Sequence, residues 1–421
     1  MPKYLKNRRR RRHSVFNRAT ENIPMSSEKD VSKQQKNRDK KESLKILRGK
    51  KKTKQIKKIV FFSLVFVVAI SVTLVSVLSP TGISELITNF SATFSFNSDF
   101  PVTLNGSETY NVSTIGNRVF VLSDTDFSCY SKQGNFSFSD AHGFASPVMV
   151  ESQSRCLVYD QNSKGYKIYN AKELILDSQF EFAILGADIS RNGSYAIASK
   201  SQSHTSMVTV YNKKNEMQYQ WYCPQETITS VALSPNGKQI SVSTVSVSGG
   251  NYNSKLHILQ YDSADPVYSK EYVGALVYGI DSISNKNFTV IGENFCDIIS
   301  WKNHNITTFT TPYSVDDVRT SMKYTAIMSS REHNDGNATF TIYNNKQQLL
   351  SSFDFKGSTD DFALCGKSIM VLSRNKIFLV DSNGNIVKNG DCGFGIIKIL
   401  PITSSSCIAV SHNNIYKISL Q

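Results

Sequence analysis

The sequence holds few of the residues and spacings that announce chemistry. Its seven cysteines are spread from Cys129 to Cys407 without a CxxC pair, which excludes a zinc ribbon and a dense disulfide framework. Histidine is scarce: beyond residue 98 it occurs only as His142, His204, His257, His304, His333 and His412. No two of these are two or four positions apart, so a metal cluster would have to be assembled from separate elements. GxSxG, HExxH, GxxxxGKS/T and a strand-borne GxGxxG are all missing, and with them the signals of α/β-hydrolases, zincins, P-loop enzymes and dinucleotide-binding domains. A calcium loop is absent too, because Asp124-Thr125-Asp126 lacks the ligands and glycine that should follow. Lysine and arginine are absent from Ser79 to Asn105.

What is present first is one long apolar run. Ile59 to Ser79 (IVFFSLVFVVAISVTLVSVLS) supplies 21 consecutive uncharged residues, about 30 Å of helix, enough to cross a bilayer's hydrocarbon core. Charge is distributed around it very unevenly. The chain carries a net +14, but residues 1–58 hold 22 Lys and Arg against 5 Asp and Glu, leaving 26 against 29 for the rest. The sequence therefore predicts a basic, mostly disordered tail (1–58), a transmembrane helix (59–79), a juxtamembrane linker (80–98) and a large near-neutral domain (99–421). Arg8, Arg9, Arg10, Arg11 and Arg12, with Lys50, Lys51, Lys52, Lys54, Lys57 and Lys58, read as positive-inside topology signals resting on anionic lipid headgroups. That reading outweighs nucleic-acid binding by the arginine run. A 58-residue basic segment and a run this long argue against a cleaved signal peptide. The expectation is a single-pass signal anchor in the cell membrane, tail in the cytoplasm and domain outside.

Beyond Phe100 helical periodicity gives way to short alternating strands such as RVFVLSD (118–124), KLHILQYD (255–262) and KIFLVDSNG (376–384). Turn dipeptides punctuate them: Asn192-Gly193, Asn236-Gly237, Asp335-Gly336 and Asn383-Gly384. The pattern repeats. GADISRNGSYAIAS (186–199) matches SVALSPNGKQISVS (230–243), 44 residues on. Looser copies bring the count to seven units between about 108 and 394, followed by a three-stranded C-terminal remainder. The remainder needs a fourth strand, and DFPVTLNG (99–106) is the natural donor. The fold class expected is all-β: a β-propeller of eight blades, with seven as the alternative if one weak unit is incomplete. A closed ring of this kind predicts a monomer. The seven cysteines read as small buried hydrophobes, with one or two disulfides open in an oxidising compartment.

The SPNG and SRNG turns, each followed by a strand pair, resemble those of the broad WD40-like, TolB-like and quinoprotein-like propellers. The recurrent GH and WD pair of ordinary WD40 repeats and the tryptophan docking of quinoprotein dehydrogenases are absent. The layout of basic tail, single span and outer propeller also resembles a group of membrane-anchored propellers, mostly from Gram-positive anaerobes. That resemblance implies fold and location and brings no activity or cofactor with it.

Candidate site residues are carboxylates near the starts of innermost strands: Asp188, Asp281, Asp316, Asp317, Asp360 and Asp361. Innermost strands line a propeller's channel, so Asp188, Asp281, Asp317 and Asp361 are the candidates for converging on a hard cation such as Ca²⁺ or a basic peptide. Against this, aspartate often begins strands because it satisfies turn amides. Tyr219, Trp221 and Tyr222 on one outer strand are candidates for binding, although alternation leaves only Tyr219 and Trp221 on one side. Three functions compete: a non-enzymatic module binding a protein, peptide or envelope glycan; an extracytoplasmic lyase or glycoside hydrolase using carboxylates such as Asp281 and Asp317; and a sensor signalling across the span. The binding module accounts best for the missing catalytic motifs.

Overall fold

The computed structural model describes residues 99–421, apart from 153, 154, 283, 285, 311, 312, 322 and 331–335. The basic tail, the apolar run Ile59–Ser79 and the linker lie outside the described residues. Among those described, no helix is long and apolar enough to cross a membrane.

The described residues form eight four-stranded antiparallel sheets, the eight blades of a propeller. Blades I to VII are continuous meanders over 109–141, 147–179, 184–223, 227–272, 277–310, 314–356 and 361–391. In each, strand a is innermost and strand d outermost. Blade VIII takes strands a to c from 396–419 and its outer strand from Val102–Thr103. That strand pairs through Val102 with Ile415 and through Thr103 with Asn414, so both ends of the described chain share one sheet. Leu104 then donates its amide to the Asn413 carbonyl (2.9 Å) and buries its side chain between blades VIII and I.

Alternating apolar positions explain the ring. A blade is buried on both faces, and each of eight hydrophobic clusters lies between two neighbouring blades rather than within one. Tyr219 and Trp221 belong to the cluster between blades III and IV, leaving Tyr222 exposed with its ring tilted against His204 at 4.8 Å. The thinnest cluster joins blades V and VI, with Cys296, Val315, Val318 and Ile327 as its buried members. All seven cysteines are free thiols, and six are buried. Burial pushes Cys129 and Cys407 up to about 12, which makes both poor nucleophiles.

Two recurrent details set the channel. The first is a β-bulge between strands a and b in blades I, III, IV, V, VI and VIII. A bulge sets two residues against one and resets which side chains face the channel. This is why carboxylate offsets from the preceding turn vary between units. The second is the close fit of neighbouring turns. Asn192 donates through Nδ2 to the Asn236 carbonyl at 2.7 Å, and a Cβ on Gly237, whose φ is +66°, would stand 2.4 Å from Asn192. The repeated Asn-Gly turns thus lock blade III to blade IV.

Antiparallel meanders sort their connections onto two faces. The a–b and c–d turns lie on one, here called the turn face. The b–c turns and the loops passing to the next blade lie on the other, the crossover face. Contacts between connections respect the division: Lys132 N donates to Asn117 O at 3.0 Å and Arg155 Nη1 to Lys213 O at 3.3 Å on the turn face. On the crossover face Asp124 accepts from Ser107 N at 3.0 Å and from Ser107 Oγ at 2.6 Å.

Candidate functional site

The site is the central channel. Two adjoining cavities of about 380 and 570 Å³ occupy it, and both are lined by Glu151, Asp188, Ile280 and Asp281. The smaller opens among turn-face residues such as Gly116, Arg191 and Pro235. The larger also touches Leu185 and Thr229 nearer the crossover side, together with Arg319.

The innermost strands are stitched together by side chains reaching from blade to blade. Asp188 Oδ2 accepts from the Leu233 amide at 2.6 Å, joining blades III and IV. Ser230 Oγ accepts from Ile280 N at 3.2 Å, joining IV and V. Asp361 Oδ2 accepts from Ile399 N at 2.8 Å, joining VII and VIII. Ser113 Oγ donates to Glu151 Oε1 at 2.8 Å between I and II, and Thr320 Oγ1 donates to Asp281 between V and VI. Arg319 donates through Nε to the Phe362 carbonyl at 3.3 Å, linking VI and VII. Innermost strands of neighbouring blades share no ladder, so amides left over by the bulges need such partners.

The expected carboxylates divide into three groups. Asp317 and Asp361 already have cations: Arg319 Nη2 lies 2.6 Å from Asp317 Oδ2 and 3.2 Å from Asp361 Oδ1, and Lys398 Nζ lies 3.3 Å from Asp361 Oδ1. Asp188 and Asp281 share the cavity with Glu151, which the sequence reading did not single out. Asp316 and Asp360 instead line a separate pocket of about 390 Å³ between blades VI and VII on the crossover face, where Asp360 Oδ2 accepts from Arg374 N at 2.5 Å. Among the described residues no three His, Cys, Asp or Glu are grouped to hold a metal ion. The channel is therefore uneven in charge, with Glu151, Asp188 and Asp281 on one arc and Arg319 and Lys398, paired with Asp317 and Asp361, on the other.

Burial among protein groups raises all three carboxylates of the acidic arc. Asp188 reaches about 7, because burial outweighs the Leu233 and Ile189 amides that favour its anion, and Asp281 and Glu151 add repulsion. Ser113 opposes the rise at Glu151, and Thr320 opposes it at Asp281. The sign for stability follows from linkage. A carboxyl raised on folding stabilises the fold fully below its unfolded value near 3.9, and that contribution is lost as pH climbs towards 7. Asp188→Asn keeps an acceptor for the Leu233 amide and cannot ionise. The variant is expected to match the parent at pH 4 and to exceed it by about 2 kcal/mol at pH 8, measured by urea unfolding at both pH values. An equal difference at both would remove the titration argument.

Glu151 and Arg319 were both within reach of sequence reasoning. Glu151 ends the first strand of SPVMVESQSRCLVYD, as Asp188 nearly ends that of its own unit, and Arg319 sits two residues after Asp317 on the same side of a strand. The histidines have structural posts. His142 accepts the Phe144 amide at Nδ1 (2.9 Å), so Nε2 donates to the Ser123 carbonyl at 3.1 Å. His257 packs at a tilt against Trp221 at 5.2 Å, and burial holds its protonated form back. His333 lies outside the described residues.

Fold and channel together define an eight-bladed propeller with a polar, carboxylate-lined channel. Residues 97–420 match the model of the family of unknown function DUF5711, and the chain belongs to that family. No curated protein matches it. Among solved structures it is similar to BamB from Moraxella catarrhalis, with a TM-score of 0.51 and 12% identity over 77% of this chain and 99% of that one. With 935 solved chains matching, so widespread an architecture carries the fold and no particular activity.

Proposed function

We propose that this protein is a non-enzymatic binding module, held at the outer face of the cell membrane by Ile59–Ser79, that captures an apolar and basic polypeptide segment on its crossover face. The observation that carries the reading is the apolar surface there. Strands b and c of blade IV, Gln239–Ser248 and Asn251–Gln260, pair beyond the blade as a projecting ribbon whose tip sets Val247 directly opposite Tyr252. Both are exposed, as are Val273 (80%) in the next loop and Phe394 (90%) in the loop from blade VII to VIII. Large apolar side chains left in water on one face mark interaction surfaces more often than chance. Charge complements them: the described crossover connections hold six Asp and Glu against two Lys and Arg, so a basic partner is favoured.

The test uses the full-length protein in its own membrane, with a photo-crosslinking residue at position 252, 394 or, as a turn-face control, 217. One protein captured from both 252 and 394, weakened by raised salt at both and by Tyr252→Ser at 394, is the expected result. Capture indistinguishable from that at 217 removes the reading. Topology is checked separately by the accessibility of a C-terminal tag to protease added outside intact cells.

A further inference from the structure

The near-neutral balance of the folded region conceals a separation of charge. The a–b and c–d turns together hold twelve Lys and Arg against five Asp and Glu, whereas the described crossover connections hold two against six. Most of the turn-face cations are exposed, among them Lys172, Lys214, Lys238, Lys302, Lys346 and Lys367. They are spread over blades II to VII and so make a broad basic surface rather than one patch. Blade IV interrupts it, with Asp262 and Asp265 in its outer turn.

Apolar side chains edge the same face. The c–d turns lead into outer strands that begin with exposed Phe136, Met217, Leu349, Leu350, Ile386 and Val387. On blades VI and VII these come together, because Ser351 Oγ donates to the Ser382 carbonyl and Gly384 abuts Phe353. The described chain also begins on this face. Asp99 N donates to Gln133 O at 3.0 Å, and Asp99 Oδ2 accepts from Asn135 Nδ2 at 2.5 Å, both partners lying in the c–d turn of blade I.

We infer that the turn face docks on an anionic lipid surface, its lysines among phosphate headgroups and its rim of aliphatic side chains at the interface. Three independent features agree: the sign of the charge, the apolar rim, and the point at which the preceding chain joins. Each lysine close to an anionic bilayer strengthens binding about fivefold, within a Debye length of about 8 Å at physiological salt. Several acting together hold a tethered domain down, since the tether has already removed most of the cost of association. Docking in this way turns the crossover face and its projecting ribbon away from the bilayer. The inference rests on the anchored reading for the tether, for the weight of the joining point and for that last consequence, whereas the charge and the apolar rim stand without it.

Two measurements test it. The full-length protein is placed in bilayers with and without about 30% anionic lipid, and lysine acetylation by a water-soluble reagent is followed residue by residue. Lys214, Lys238 and Lys346 should react at least about threefold more slowly in anionic than in zwitterionic bilayers, while Lys164 and Lys356 react alike in both. Raised salt should abolish the protection, and so should the combined change Lys214→Glu, Lys238→Glu and Lys346→Glu. Equal reaction in the two bilayers overturns the proposal. The propeller alone, residues 99–421, carries its complete ring and closing strand, so its sedimentation with vesicles is the second measurement. If the full chain fails to insert but the propeller sediments with anionic vesicles, docking stands and the anchor fails. Binding to nucleic acid or a soluble anionic polymer without binding to vesicles overturns the lipid assignment.

Discussion

Removing residues 99–105 is expected to cost the propeller about 5 kcal/mol of stability. The strand that closes blade VIII is only Val102–Thr103, so the two ladder positions are a small part of the loss. Leu104 is 5% exposed and packs with Val112, Val119, Tyr130 and Val410, and burying such a side chain contributes about 2 kcal/mol. Phe100 and Val102, half-buried against the same cluster, contribute about as much again. The Leu104 amide bond to Asn413 adds about 1 kcal/mol. Set against a typical total of about 5–15 kcal/mol, the deletion leaves a ring that opens readily between blades VIII and I. Leu104→Ala alone should cost about 2–3 kcal/mol. Urea unfolding followed by circular dichroism measures both, and a loss below about 1 kcal/mol for the deletion would show that the ring holds without its closing strand.

Asp297→Ala is expected to cost about 3–5 kcal/mol. Asp297 is fully buried on blade V, and its Oδ2 accepts from Lys270 Nζ at 2.6 Å and Tyr272 OH at 2.8 Å, both on the outer strand of blade IV. Truncation leaves the buried Tyr272 phenol without its acceptor and the partly buried Lys270 ammonium without its anion between blades. Lys270 also lies over the Tyr272 ring at 4.6 Å, an interaction that keeps the charge in place and raises the penalty of abandoning it. Asp297→Asn retains an acceptor and should cost roughly half as much. The exposed pair Lys376–Asp391 (3.6 Å) supplies the contrast: Asp391→Ala should change stability by less than about 0.5 kcal/mol. Similar losses for Asp297→Ala and Asp391→Ala in parallel denaturant titrations would mean that the buried tie contributes nothing special. The same device recurs between blades I and II with the acid on the other side, where Asp140 Oδ2 accepts from Lys167 Nζ at 2.9 Å and Tyr169 OH at 2.8 Å.

These ties illustrate what a strand pattern hides. Asp140 reads in sequence as an exposed position on an outer strand, and Asp297 as a polar interruption in FCDIISW. Each lies opposite a Lys-x-Tyr partner whose lysine is 27 residues away, a distance at which no local periodicity operates. The channel shows the same limit. Alternation brings Asp188 and Asp281 to the inner strands, but the bulges decide which residue of each strand faces the axis. The pairing of Asp317 and Asp361 with Arg319 and Lys398 then depends on blades VI, VII and VIII being neighbours in space.

The sequence by itself determined the class of fold and favoured eight blades over seven, because period-2 alternation and Asn-Gly turns are local properties and the 44-residue repeat recurs along the chain. Only the tertiary structure decided how charge is used. Along the chain, basic a–b and c–d turns alternate with b–c turns of no net charge and acidic loops between blades, so any sequence window averages them towards neutrality. Folding each unit into an antiparallel blade sends successive connections to opposite ends, and closing eight blades into a ring adds the contributions of like ends. A chain whose folded part is nearly neutral in sequence thereby becomes a disc with one basic and one acidic face.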